Sequence, residues 1–220
     1  MSEHAWNNWR PGVLNKGQIE YLGDEGKLKS IDKKGLDHSA IDLHIGDTGY
    51  KMRGSVKPLR DADITSLIQT FKDLNSDGFK REGKFYLEKN QTYIFQLVES
   101  LNLENTNISG QATGKSTFGR LDILTRLLTS YSVSFDTIAK DYNGSLWVEI
   151  TPITFPVIIE PGLSLNQLRL LKGEPRNCHI KEEDLHLWGD LIKSKDESKK
   201  DKQNLTLNIG QDPVLKNGIC

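Results

Sequence analysis

The sequence predicts a mainly β fold, a barrel or sandwich of many short strands with a few short helices. Three observations carry that reading: apolar residues recur at every second position in several segments, turn residues break those segments at short intervals, and stretches with helical spacing are few and brief. With 220 residues, 36% of them apolar and 27% charged, the chain is expected to form one main core plus an appendage.

Taken in order, Asn15 can cap a short helix over residues 16–22, which Gly23 should stop. From Ser39 onward, Ile41, Leu43 and Ile45 point one way and Asp42 and His44 the other, as in a half-buried strand. Residues 61–74 change period and place Ile64, Leu67, Ile68, Phe71 and Leu74 on one helix face behind an aspartate cap, with residues 75–78 as the stop. Phe85, Leu87, Tyr93, Phe95 and Leu97 keep one parity on either side of Lys89-Asn90, which reads as two strands and a turn. In residues 145–151, Leu146, Val148 and Ile150 form one row and Trp147, Glu149 and Thr151 the other, so Glu149 projects away from that apolar row. Residues 157–159 and 163–171 add two short strands around the turn Pro161-Gly162. Past Gly173 the character changes. Leu185, Trp188, Leu191 and Ile192 fit one helix face, residues 193–203 are a charged run, and Leu205, Leu207 and Ile209 alternate like a strand just beginning. The expected organisation is one main β domain over residues 1–175, a helix and charged linker over 176–204, and the start of an incomplete second domain at 205–220.

Composition narrows the function. A formal net charge of −1 provides no broad basic field, so nucleic acid is not an expected partner and any anionic ligand must be held locally. Cys178 and Cys220 stand alone, which points to a reducing cytoplasm and away from a disulfide framework or structural zinc. The first ten residues lack the apolar core of a signal peptide, and no run approaches the ~18 apolar residues of a membrane span, so no membrane partner is expected. None of His4, His38, His44, His179 and His186 falls in a His-Glu-x-x-His spacing, and the His-x-Glu with Pro-Cys-x-x-Cys of zinc deaminases is missing, as is a Gly-x-Ser-x-Gly elbow. The most distinctive string is Gly114-Lys115-Ser116-Thr117-Phe118-Gly119-Arg120-Leu121, whose glycines let backbone approach a ligand and whose Lys, Ser and Arg can address phosphate. It is not a P-loop, because position 109 is Ser where the pattern needs Gly, and Gly110 comes one place late.

That string resembles the Gly-Lys/Arg-Ser-Ser-x-x-Arg-Leu signature of the dCTP deaminases within the dUTPase-like superfamily. Three further matches follow in order. Ser39-Ala-Ile-Asp-Leu-His-Ile-Gly46 is similar to the family's early strand, Asp141-Tyr-Asn-Gly-Ser-Leu-Trp-Val-Glu149 to its aromatic-x-Gly-x-x-x-x-Glu strand, and Pro161-Gly-Leu-Ser-Leu-Asn-Gln-Leu168 to its late Pro-Gly turn and strand. Together these cover about residues 13–173. Residues 120–126 and 154–157 resemble in particular the first domain of longer, two-domain bacterial dCTP deaminase-like proteins.

The resemblance implies a distorted β-barrel or jelly-roll of the dUTPase-like (β-clip) type and hydrolytic deamination of dCTP to dUTP with no metal at the base. It implies Glu149 as general base, Ser116 and Arg120 as the groups that position water and stabilise charge, and Lys115, Thr117, Gly119, Asp136 and Gln167 as nucleotide-binding. No residue is expected to ligate a metal directly; Mg²⁺ would accompany the triphosphate of a deoxynucleoside triphosphate. A homotrimer with sites between subunits is implied as well. Either Asp136 or Asp141 can fill the place of the sugar-facing aspartate, with Asp136 preferred because it follows an apolar residue. The chain departs from the pattern at His44, where the family strand carries Arg, and at Arg126 and Thr129, which replace residues shaping the base pocket. Two other readings stay open: a dUTP or dCTP pyrophosphatase, and a catalytically silent nucleotide-binding domain of a two-domain protein.

Overall fold

The computed structural model describes residues 4–32, 36–57, 59–74 and 78–173, and the helix, charged run and strand expected past residue 175 lie outside them. In chain order the strands are β1 (Gly12–Val13), β2 (Leu28–Lys29), β3 (Ile41–Lys51), β4 (Lys80–Arg81), β5 (Lys84–Leu87), β6 (Tyr93–Asn102), β7 (Ile108–Gly114), β8 (Ile123–Leu128), β9 (Thr137–Ile138), β10 (Asn143–Pro152), β11 (Val157–Ile159) and β12 (Ser164–Lys172). The α-helices are α1 (Lys16–Asp24), α2 (Ile64–Phe71) and the single turn α3 (Ser116–Gly119), preceded by a 3-10 turn at Ala5–Asn8. None of them is long and apolar enough to cross a membrane.

Nine strands form one sheet whose main path runs β8-β10-β6-β3-β12-β7-β9, with β1 on β12 and β2 on β6, every pair antiparallel. The sheet curls until β7 and β8, near opposite ends of that path, meet. Asp136 bridges the seam: its N–H donates to the Leu127 carbonyl at 2.9 Å and its own carbonyl accepts from the Ala112 N–H at 2.9 Å. The result is a nearly closed barrel, which removes most of the exposed sheet edge. A separate three-stranded sheet, β11-β5-β4, takes up the strand before the Lys89-Asn90 turn, so the two strands read on either side of that turn belong to different sheets.

Alternation along β3 does what the sequence predicts: Ile41, Leu43 and Ile45 are buried in the barrel core, with Asp42 and His44 on the outer face. On β10 both faces are buried. Leu146, Val148 and Ile150 enter the barrel, while Trp147 packs outside it with Met52, Val56, Ile64, Leu67, Ile68, Ile94 and Leu128. Glu149 shares that outer face, so it projects away from the core row yet is 1% exposed.

Two helices differ from expectation. Helix α1 carries the full capping box between Asn15 and Gln18, but it runs through Gly23, whose missing side chain makes room for Ile31: a Cβ there would lie 3.1 Å from the Ile31 Cδ1. Helix α2 is shorter than residues 61–74 suggest, because the chain turns extended at Lys72 and pairs with Met52, leaving Phe71 and Leu74 outside the buried cluster. Asp63 precedes α2 without capping it. Ser130 takes that role from across the fold, its Oγ accepting the Ile64 N–H at 3.1 Å and donating to Asp63 Oδ1 at 2.5 Å.

Candidate active site

The phosphate-type string sits where β7 ends. Lys115 leaves the sheet in an extended conformation, its N–H on the Leu165 carbonyl at 2.8 Å, and its carbonyl accepts the Phe118 and Gly119 N–H groups to close α3. The antiparallel strand before this turn and the single helical turn after it both differ from a P-loop. Ser116, Thr117, Gly119 and Arg120 are all exposed, and among the described residues the Arg120 side chain has no hydrogen-bond or ion-pair partner.

Lys115 points the other way, onto the outer face of β3. Its Nζ donates to Asp42 Oδ2 at 2.5 Å and to Ser164 Oγ at 3.4 Å, while Gln167 Nε2 donates to Asp42 Oδ1 at 3.2 Å. The register places Gln167 opposite Asp42 and Ser164 opposite His44. His44 continues the network: its backbone N–H donates to Glu99 Oε2 at 2.9 Å and its Nδ1 lies 2.7 Å from Glu99 Oε1, with Glu99 fully buried. The polar row of β3 is therefore a built cluster of charges and not merely a solvated face.

Glu149 belongs to a second cluster. Its β10 register sets it opposite Arg126 of β8 and Ile94 of β6, and α2 with residues 53–57 covers it. Arg126 Nε donates to Glu149 Oε1 at 3.1 Å, Arg126 Nη2 donates to the same oxygen, and Ser55 Oγ donates to it at 3.2 Å. The Val56 N–H donates to Oε2 at 3.2 Å. Burying a carboxylate is costly without a counter-charge and donors, and this one has both. The Arg126 guanidinium in turn lies 4.1 Å from the Phe135 ring centroid and donates to Ser55 Oγ at 2.8 Å.

Asp136, next to Phe135, turns back on β8, where its Oδ1 accepts the Leu127 N–H at 2.7 Å. Burial raises its proton affinity above the usual aspartate value; the Leu127 N–H and the Arg126 charge oppose that shift without cancelling it. Asp141, the other candidate for the sugar-facing place, has its Oδ1 occupied by the Thr106 and Asn107 N–H groups at 3.0 and 2.7 Å, as a turn residue. Of the two, Asp136 stands beside the Glu149–Arg126 pair.

The chain thus gathers Lys115, Gln167 and Asp42 in one place, and Glu149 with Asp136 and Arg126 in another. Ser116 and Arg120 join neither by a hydrogen bond among the described residues. Pro152, three residues beyond Glu149, pairs with Ile123, the first residue of β8 after the α3 turn, so roughly 10 Å of strand separates Glu149 from that end. Sequence reasoning missed Arg126, Ser55 and Glu99 as partners. Arg126 carries a signal only once β8 is aligned with β10; Ser55 lies in a loop far along the chain from Glu149, and Glu99 gave one signal, a charge at the same parity as the buried row Tyr93, Phe95, Leu97 and Leu101 of β6.

Comparison with known proteins follows the same segment. The family model described as the 2′-deoxycytidine 5′-triphosphate deaminase (DCD) N-terminal domain matches residues 10–174. Among solved structures, the 2′-deoxycytidine 5′-triphosphate deaminase from Agrobacterium tumefaciens is similar at 33% identity with a TM-score of 0.70, over 80% of this chain and 53% of that one. The chain spans about half the length of that relative. The native EIAV dUTPase is also similar, at 13% identity and a TM-score of 0.38 over 76% of this chain and 91% of that one, a likeness too slight to carry an argument. No curated protein matches the chain.

Proposed function

The chain belongs to the dCTP deaminase family through that N-terminal domain, and on this premise we propose that it deaminates dCTP to dUTP by hydrolysis. The observation that supports the reading most directly is Glu149: a carboxylate 1% exposed, set on a strand face outside the barrel core and held by named donors. As general base it takes a proton from water while the water oxygen bonds to C4 of cytosine, then returns protons to the departing amine, which leaves as ammonia. Such a role contributes roughly 10²–10⁴ in rate. Ser116 and Arg120 supply the hydroxyl and the cation for the water and the base; Lys115, Thr117, Gly119 and Gln167 hold the triphosphate side, and Asp136 the sugar. Because Ser116 and Arg120 stand apart from Glu149 within one chain, they serve a neighbouring subunit's Glu149 in a homotrimer.

Mg²⁺ travels with the triphosphate in this reading. Among the described residues no group of three or more His, Cys, Asp or Glu could hold a metal ion; in this reading phosphate oxygens and water hold the cation. Asp42, tied to Lys115, is the carboxylate that would meet it, and the ion would neutralise phosphate charge. The test is ammonia release from dCTP and Mg²⁺ by the full chain, with the products separated by chromatography. dUTP and ammonia are expected, and Glu149→Gln should lose roughly 10²–10⁴-fold in kcat. A monophosphate product would move the assignment to a pyrophosphatase, and dCTP binding without turnover would move it to a silent binding domain.

A further inference from the structure

Glu149 is not free to turn, and its partners differ between its two oxygens. Oε1 accepts three N–H or O–H donors, from Ser55 Oγ, Arg126 Nε and Arg126 Nη2, whereas Oε2 accepts only the Val56 N–H. A carboxylate offers about two in-plane lone-pair sites per oxygen, so Oε1 is filled and Oε2 keeps one site open. Arg126 is itself held, by the Phe135 ring 4.1 Å away and by Ser55 Oγ at 2.8 Å. From this geometry we propose that Arg126 and Ser55 are positioning residues that clamp Glu149 through Oε1 and leave Oε2 as the oxygen that exchanges protons with the attacking water.

The inference rests on the deaminase reading and adds to it which oxygen works and what aims it. Two guanidinium N–H groups converging on Oε1, with the Ser55 hydroxyl beside them, fix where that oxygen sits, a pair of donors at fixed spacing that Lys does not carry. Losing those donors frees the carboxylate to turn and moves the reactive oxygen by on the order of an ångström, a displacement that can lower the rate about 10²-fold. The loss should fall on the chemical step, because neither Arg126 nor Ser55 needs to touch the nucleotide for the clamp to act.

The experiment measures kcat and KM for dCTP with Mg²⁺ on the full chain and on Arg126→Ala, Arg126→Lys and Ser55→Ala. Arg126→Ala should lose about 10²-fold in kcat with KM changed only a few-fold, and added guanidinium ion should restore part of that kcat. Arg126→Lys should stay well below the native rate, and Ser55→Ala should show a smaller fall of the same kind. Should Arg126→Ala fail to fold in a thermal unfolding control, the other two variants carry the same comparison of kcat with KM. Undiminished kcat in the variants, or a rise in KM alone, overturns the clamp while leaving the deaminase reading intact. A native chain that releases no ammonia removes the deaminase reading instead, and this inference with it.

Discussion

Asp136 combines a left-handed backbone, φ +60°, with a carboxyl that burial makes a better proton holder than in the unfolded chain. Because the folded value is raised, the folded state binds the proton more tightly between the two values. The group's stabilising contribution is therefore complete at pH below the ordinary aspartate value and is lost as pH rises through the folded one. Asn keeps the oxygen that accepts the Leu127 N–H, tolerates a left-handed backbone and carries no charge. Asp136→Asn should accordingly unfold at the same temperature as the native chain or higher at pH 7, with the difference closing in acid. Asp136→Ala leaves the buried Leu127 N–H unpaired and should cost about 1–3 kcal/mol. Thermal unfolding of both variants across pH decides it: an Asn variant as unstable as the Ala variant at pH 7 contradicts the assignment. In the proposed deaminase reading, the sugar-facing role of Asp136 maintains this charge beside Arg126 against the preference of the fold, a tension common at functional positions.

At the level of elements, the closing of the barrel depends on how near β7 and β8 come at Gly114. A Cβ there would lie 2.6 Å from Thr125 Oγ1, so Gly114→Ala must force Thr125 out of its rotamer or push the strands apart at the point where the Lys115 turn begins. We expect a loss of about 1–3 kcal/mol. Thr125→Ala in the same chain removes the clashing oxygen and should recover most of it, a non-additivity that a double-mutant cycle in denaturant measures; additive losses would mean the contact does not limit the approach. The same two strands show where the sequence was hard to read. Alternation exposed β3 and the late strand β12, and capping chemistry exposed α1, because in each the buried and open faces differ in polarity. In β7 the inward positions are Ile108, Gly110 and Ala112, too small to register as an apolar row. In β8 Leu124 and Leu128 flank Arg126 on one side while Ile123 and Leu127 fill the other, so the period disappears. Arg126 was legible only as a departure from a family pattern, and its meaning came from register with Glu149.

For the whole molecule, the question is whether the two groups of candidate residues meet within a chain or between chains. The segment 114–121 and the Glu149 strand were both legible in the sequence, whereas their separation was not, since it depends on the β8–β10 register and the turn between β7 and β8. Glu149 is buried beneath α2 with Arg126, while Arg120 is exposed and, among the described residues, unpartnered at the far end of β8. A cation left open at a surface beside a hydroxyl is suited to completing a site on an adjoining copy, and closed symmetric assembly would repeat that junction identically around the ring. The arrangement predicts complementation. Glu149→Gln and Arg120→Ala chains, each inactive alone, should regain ammonia release when mixed under conditions that exchange subunits, because some junctions then join a native Glu149 to a native Arg120. If both residues served the same chain, every chain in the mixture would lack one of them and no mixing ratio would restore turnover. Silence in the mixture, with subunit exchange confirmed by mass, would return the site to a single chain and require Arg120 to reach Glu149 by a movement of the β7–β8 turn.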